Sequence, residues 1–122
     1  ISVSVAYRLG IFGFAHNKEF MTEDGVMGNF GILDQRMALL WVSKYIHNLG
    51  GDASQVTISG CSAGGQSVMV HLTSPNSWAY YSKVASFSSP NGIPYKTLAE
   101  AENMSTQFLR NIECCKDNDA VF

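Results

Sequence analysis

The chain has 122 residues, of which 46% are hydrophobic and 15% charged, a balance typical of one packed globular domain. Its formal net charge is −2 and its eight Lys and Arg residues are scattered, so nucleic acid and anionic membrane surfaces are not indicated as partners. No apolar run reaches transmembrane length, and the three cysteines lack zinc-ligand spacing, so we predict no membrane span in this segment, no metal and no cofactor.

The first half of the chain predicts a strand, a long loop and a helix. Residues 1–7 alternate apolar and small side chains, which indicates a sheet strand. Residues 8–31 carry five glycines, too many for a regular element, and predict a loop that covers or shapes a site. Residues 32–47 have apolar positions at helical spacing, and Gly50-Gly51 after them is typical of a helix C-cap.

The second half begins with a short buried strand at residues 56–59. We predict a helix over 66–72, a second short strand over 84–87 and a final helix over 96–113. The predicted strand at 1–7, helix at 32–47 and strand at 56–59 follow one another along the chain, and this order favours a right-handed βαβ crossover and hence a parallel sheet. The predicted fold class is therefore α/β.

The sequence Gly60-Cys61-Ser62-Ala63-Gly64 lies between the predicted strand at 56–59 and the helix at 66–72. It matches G-x-S-x-G, the nucleophile elbow of α/β-hydrolases, and strand, turn and helix are the context that this motif requires. Gly60 and Gly64 lie two residues to either side of the serine, where we expect side chains to collide with neighbouring backbone. The alternative is a Gly-Ser turn without chemistry.

Ser62 is the predicted nucleophile, and the backbone N–H of Ala63 is a predicted donor to the oxyanion of acyl transfer. The helix N-terminus that follows would favour the same negative charge. Cys61 could instead be a thiol nucleophile. It occupies the variable position of the motif, however, and is most simply a small packing residue.

The base and acid that an activated serine needs are not present in the required order. In α/β-hydrolases the acid and then the histidine follow the nucleophile. Only His71 follows Ser62, about 13 Å further along the predicted helix, and we predict a packing role for it. The acidic residues beyond the serine all follow His71: Glu100, Glu102, Glu113, Asp117 and Asp119.

A wider set of motifs resembles the type-B carboxylesterase and cholinesterase family. The matching blocks, in family order, are Tyr7-Arg8-Leu9-Gly10, Phe12-Gly13-Phe14, Gly28-Asn29-Phe30-Gly31-Ile32-Leu33-Asp34-Gln35, Leu39 to Trp41, Gly50-Gly51-Asp52 and Gly60-Cys61-Ser62-Ala63-Gly64-Gly65. The resemblance implies a partial α/β-hydrolase fold, with residues 1–122 as a central segment of a carboxylesterase type-B domain that is incomplete at both ends.

The resemblance also implies hydrolysis of a small-molecule carboxylic ester through an acyl-serine at Ser62. Ala63 is then one oxyanion donor, and Gly65 completes the elbow block. The triad acid and histidine would lie outside these residues, so we expect the segment alone to be inactive. The alternatives are a non-catalytic adhesion or binding module of the same fold and a truncated gene product. The sequence does not indicate the oligomeric state.

Four further residues gain a role only through the resemblance. Arg8 and Asp34 match family positions that form a buried ion pair, the alternative being two solvated charges. Tyr95 lies where the family often has an acyl-pocket tryptophan, and is otherwise an ordinary half-buried aromatic. Cys114 resembles a family cysteine that pairs with one further along the chain.

Three positions depart from the family pattern. Cys61 replaces the usual Glu before the nucleophile, Leu49 replaces a Phe and Ser89 replaces a Gly. Loss of the Glu removes a charge that could steady the catalytic histidinium. The sequon Asn103-Met104-Ser105, together with the resemblance, predicts secretion or the ER lumen, and a cytoplasmic location stays open.

Overall fold

The computed structural model describes residues 1–112. These residues form two compact units. The first unit comprises Ile1–Tyr7 and Ile32–Pro94, and the second comprises Arg8–Gly31 and residues 95–112. Helices and parallel strands are both present, which confirms the predicted α/β class. Cys114 and Cys115 lie outside the described residues.

The sheet of the first unit has two strands, β1 (Thr57–Cys61) and β2 (Lys83–Phe87). They are parallel, and Ile58 lies opposite Val84 in the ladder. The helix that we label α3 (Ala63–Thr73) connects them, followed by a 3₁₀ segment at Pro75–Tyr80. A parallel pair requires such a crossover. The predicted parallel sheet is thus confirmed, but its crossover runs through β1, α3 and β2, whereas we predicted it for residues 1–7, 32–47 and 56–59.

The long predicted helix is α2 (Phe30–Tyr45), which continues as a 3₁₀ turn over Ile46–Leu49. It ends at Gly50, whose φ of 80° is left-handed, as the predicted glycine cap requires. Val42 and Ile46 from this helix are buried, as are Ile58 of β1 and Val68 of α3. These side chains form the apolar interior of the first unit.

The strand predicted over residues 1–7 is wrong, because the structure assigns this segment no regular element. Alternating side chains alone do not make a strand, which also needs a backbone partner for its hydrogen bonds. Within the described residues, the only strand paired with β1 is β2. Ile1, Val3 and Val5 instead line a cavity of about 430 Å³ together with α2 and β1.

The second unit contains α1 (Gly10–Phe14), a 3₁₀ turn at Lys18–Phe20 and α4 (Leu98–Asn111). The prediction of a loop over residues 8–31 is therefore only partly right. The predicted final helix is confirmed as α4, which begins at a capping box between Thr97 and Glu100. Ser105 and Leu109 of α4 are buried, and the His16 N–H donates a 3.1 Å hydrogen bond to Ser105 Oγ.

Candidate active site

Ser62 lies at the corner between β1 and α3 and has a strained backbone. Its φ is 54° and its ψ is −118°, a combination that costs a non-glycine residue about 1–3 kcal/mol. Strain of this size persists only where the surrounding structure holds it in place. The strand, strained serine and helix together have the geometry of a nucleophile elbow.

Two backbone hydrogen bonds hold this corner. The N–H of Ser62 donates to the carbonyl of Phe87 at 2.9 Å, just beyond the paired residues of β1 and β2. The carbonyl of Ser62 accepts from the N–H of Gln66 at 2.9 Å and so starts α3. The Ser62 side chain makes no capping hydrogen bond to the helix, although serine is well suited to that role, and the residue is exposed. Its hydroxyl is therefore accessible for chemistry.

The N-terminus of α3 begins directly after Ser62, at Ala63. The first-turn N–H groups of a helix have no acceptor within it, and the helix dipole is positive at this end. No acidic side chain lies in this turn to offset that charge. The arrangement favours a negative charge beside Ser62.

The glycines of the elbow differ in how closely other atoms approach them. A Cβ on Gly60 would lie 2.3 Å from the backbone carbon and oxygen of Gly64. A Cβ on Gly65 would lie 2.9 Å from the carbonyl oxygen of Phe87. A Cβ on Gly64 would have no described atom within 4 Å, so the predicted collision is correct for Gly60 and wrong for Gly64. The second glycine with a close backbone neighbour is Gly65, because it faces β2.

A buried polar network joins α2 to α3 below the elbow. His71 is only 4% exposed, and its Nε2 lies 3.0 Å from Gln35 Oε1 while its Nδ1 lies 2.9 Å from Ser77 Oγ. Gln35 Nε2 donates to Ser67 Oγ at 3.2 Å. His71 thus has the packing role predicted for it, with both ring nitrogens bonded. The partners Gln35, Ser67 and Ser77 were not predicted.

Burial lowers the pKa of His71 below its ordinary value of 6.5, and the charge of Arg36 lowers the pKa further. The neutral imidazole is therefore favoured in the folded protein. A neutral ring has one donor and one acceptor nitrogen, which matches one amide oxygen and one hydroxyl as its two partners.

We expect His71 to make the protein less stable in mild acid. Between the lowered folded pKa and the unfolded value of about 6.5, the unfolded state binds more protons. Stability present above about pH 6.5 is thus lost as the pH falls toward the folded pKa, by at most about 1.4 kcal/mol per pH unit. Urea unfolding of the full-length protein at several pH values measures this slope. His71→Gln removes the titrating group, and an equally steep slope in that variant would contradict the assignment.

The remaining predicted residues stay untested. Cys61 is an exposed free thiol, and Tyr95 is 64% exposed. The Arg8 guanidinium lies over the Phe30 ring, 5.2 Å from its centroid. The ion pair of Arg8 with Asp34 remains a prediction, as does the acyl-pocket role of Tyr95.

Residues 1–112 contain neither a cluster of metal-ligating side chains nor a helix suited to span a membrane. No three His, Cys, Asp or Glu side chains are grouped so as to hold a metal ion there. In the same part of the chain, no helix combines the length and apolar character needed to cross a membrane.

Comparison with known proteins identifies relatives across the whole chain. A model of the carboxylesterase family matches residues 1–121. Esterase E4 of Myzus persicae is 39% identical over 122 residues, covering 99% of this chain and 21% of the relative. Acetylcholinesterase of Danio rerio is 37% identical over 121 residues, covering 98% of this chain and 19% of the relative. Carboxylesterase patB of Aspergillus clavatus is 48% identical over 73 residues, covering 60% of this chain and 13% of the relative.

The elbow geometry defines the class as α/β-hydrolase. Within that class, the chain belongs to the carboxylesterase family, which confirms the resemblance to type-B carboxylesterases and cholinesterases. It spans about a fifth of the length of Esterase E4 and of the acetylcholinesterase.

Proposed function

We propose that residues 1–122 are the central segment of a carboxylic ester hydrolase that uses Ser62 as its nucleophile. The observation that carries this proposal is the position of Ser62. It is exposed, strained and free of capping bonds at the N-terminus of α3. Family membership supports ester hydrolysis as the chemistry.

In the proposed reaction, Ser62 Oγ attacks the ester carbonyl carbon and its proton passes to a histidine base. The carbonyl oxygen becomes an oxyanion, which the N–H of Ala63 and the positive end of α3 stabilise. Collapse of the tetrahedral intermediate breaks the bond to the alcohol, which leaves with the proton from the histidine. Water then hydrolyses the acyl-serine by the same steps.

The triad acid and base are proposed to lie outside residues 1–122. Both ring nitrogens of His71 are already bonded to Gln35 and Ser77, which argues against His71 as the base. The relatives are about five times longer than this chain, which leaves ample sequence for the missing groups. The segment alone is then inactive.

Exposed apolar surface supports the same proposal. Large apolar side chains such as Ile1, Phe12 and Leu98 are more than 70% exposed. Surfaces of this kind are typical of contacts with further protein.

We also propose a secretory location, because Asn103 of the sequon is exposed on α4. An unchanged mass after treatment with an N-glycosidase would count against that location.

A fluorophosphonate probe tests the proposed nucleophile. We expect the full-length protein to be labelled at Ser62, as mapped by mass spectrometry of the peptide. We expect residues 1–122 alone to show no serine-dependent turnover of a simple aryl ester. Labelling at Cys61 would replace the proposed nucleophile, and absence of any labelling would favour a binding module. Ester turnover by residues 1–122 that Ser62→Ala abolishes would show that the segment is complete.

A further inference from the structure

The buried network around His71 extends to the first residue of α3. Ser77 Oγ contacts His71 Nδ1, His71 Nε2 contacts Gln35 Oε1, and Gln35 Nε2 donates to Ser67 Oγ. Ser67 Oγ in turn donates to the carbonyl of Ala63 at 3.2 Å. Four hydrogen bonds therefore connect Ser77, which follows α3, with the residue next to Ser62.

The partners of Gln35 determine which atom donates and which accepts in each of these hydrogen bonds. Gln35 uses its amide N–H for Ser67, so its oxygen faces His71 and the ring must carry its proton on Nε2. Nδ1 is then an acceptor for the hydroxyl of Ser77. All four bonds donate in the same direction, toward Ala63. Bonds aligned in this way polarise and strengthen one another.

Gln35 is the only member of the network that does not lie on α3 or just after it, since it belongs to α2. One amide group thus contacts α3 at two points a turn apart, Ser67 and His71. Two attachment points oppose both rotation of α3 about its axis and sliding along it. Ser67 connects these attachment points to the first turn of α3 through its hydrogen bond to the Ala63 carbonyl.

We propose that Gln35, His71 and Ser67 are positioning residues that fix the first turn of α3, and with it the Ala63 N–H, for oxyanion binding. This inference rests on the proposed function. None of the three need touch the substrate. Because the oxyanion exists only along the reaction path, their loss should lower kcat and leave KM unchanged.

Ser67→Ala tests the last bond before Ala63 in the full-length enzyme. Alanine is a good helix former, so α3 should persist in this variant. We expect kcat to fall about tenfold and KM to stay constant, with a simple aryl ester as substrate. Ser67→Thr retains the hydroxyl and should restore kcat. An unchanged kcat in Ser67→Ala would overturn the proposal.

Thr73 provides the matched control, because it makes the same type of bond at the other end of the helix. Its Oγ1 is within hydrogen-bond distance of the carbonyl of Met69, four residues earlier, at 3.3 Å and of the carbonyl of Val70 at 3.0 Å, and neither bond involves Gln35. Thr73→Ala should alter stability as Ser67→Ala does but leave kcat unchanged. Equal losses of kcat in the two variants would indicate only general damage to α3 and would overturn the proposal.

Gln35→Glu provides an independent variant of nearly the same size. A carboxylate has no N–H for Ser67, whose hydroxyl must then turn toward the carboxylate and away from Ala63. We expect the double variant Gln35→Glu/Ser67→Ala to lose no more kcat than either single variant. Additive losses of kcat in the double variant would overturn the proposal that Gln35 acts on Ala63 through Ser67. Absence of ester turnover in the unaltered enzyme would instead show that the proposed function itself is wrong.

Discussion

Ser62→Ala is expected to lower ester turnover of the full-length protein by a factor on the order of 10⁶, the loss seen when a triad serine is removed. Without the hydroxyl no acyl-enzyme forms, and neither the oxyanion site nor a distant histidine can replace it. The fold should be unaffected, because the Ser62 side chain makes no capping bond and both backbone hydrogen bonds remain. Steady-state kinetics, with thermal unfolding as the check on folding, measure both effects.

Cys61→Ala is the matched control, since Cys61 is the adjacent exposed residue and carries the other candidate nucleophile. We expect it to keep turnover within a factor of about three, the usual effect of a surface substitution. Loss of activity in Cys61→Ala with retention in Ser62→Ala would assign the chemistry to the thiol. Retention of activity in both single variants would contradict the assignment of Ser62 as the nucleophile.

The elements around Ser62 were predictable because their signals are local. The short apolar runs of β1 and β2, the G-x-S-x-G motif and the helical spacing in α2 each lie within one stretch of sequence. The strand predicted over residues 1–7 failed for the opposite reason. Its alternating pattern is real, but a ladder depends on a partner strand, which a local pattern cannot specify.

The polar network was missed because it forms between elements. One signal was present, since Gln35 precedes Val42 by two helical turns and so shares the buried face of α2. A polar residue on such a face needs a buried partner. The sequence offers no way to choose His71 and Ser67 as those partners, because the choice depends on how α2 packs on α3.

Gly60→Ala is expected to destabilise the full-length protein by about 3 kcal/mol or more. The added Cβ would lie 2.3 Å from the backbone of Gly64, at the start of α3. No side-chain rotation relieves a collision between backbone and Cβ, so β1 and α3 must separate. Separation would disturb the corner that holds Ser62. Urea unfolding measures the loss of stability, and ester turnover should fall with it in whatever protein remains folded.

Gly64→Ala is the internal control for Gly60→Ala, because a Cβ at Gly64 meets no described atom within 4 Å. We do not expect it to lower the free energy of unfolding. Alanine is a better helix former than glycine, so this variant should be neutral or gain about 0.5–1 kcal/mol. Gly65→Ala should fall between the two, since its added Cβ meets the Phe87 carbonyl at 2.9 Å. Suppose instead that Gly64→Ala loses as much stability as Gly60→Ala. The collisions predicted from the motif at both glycines would then be correct, and protein outside residues 1–112 would pack against Gly64.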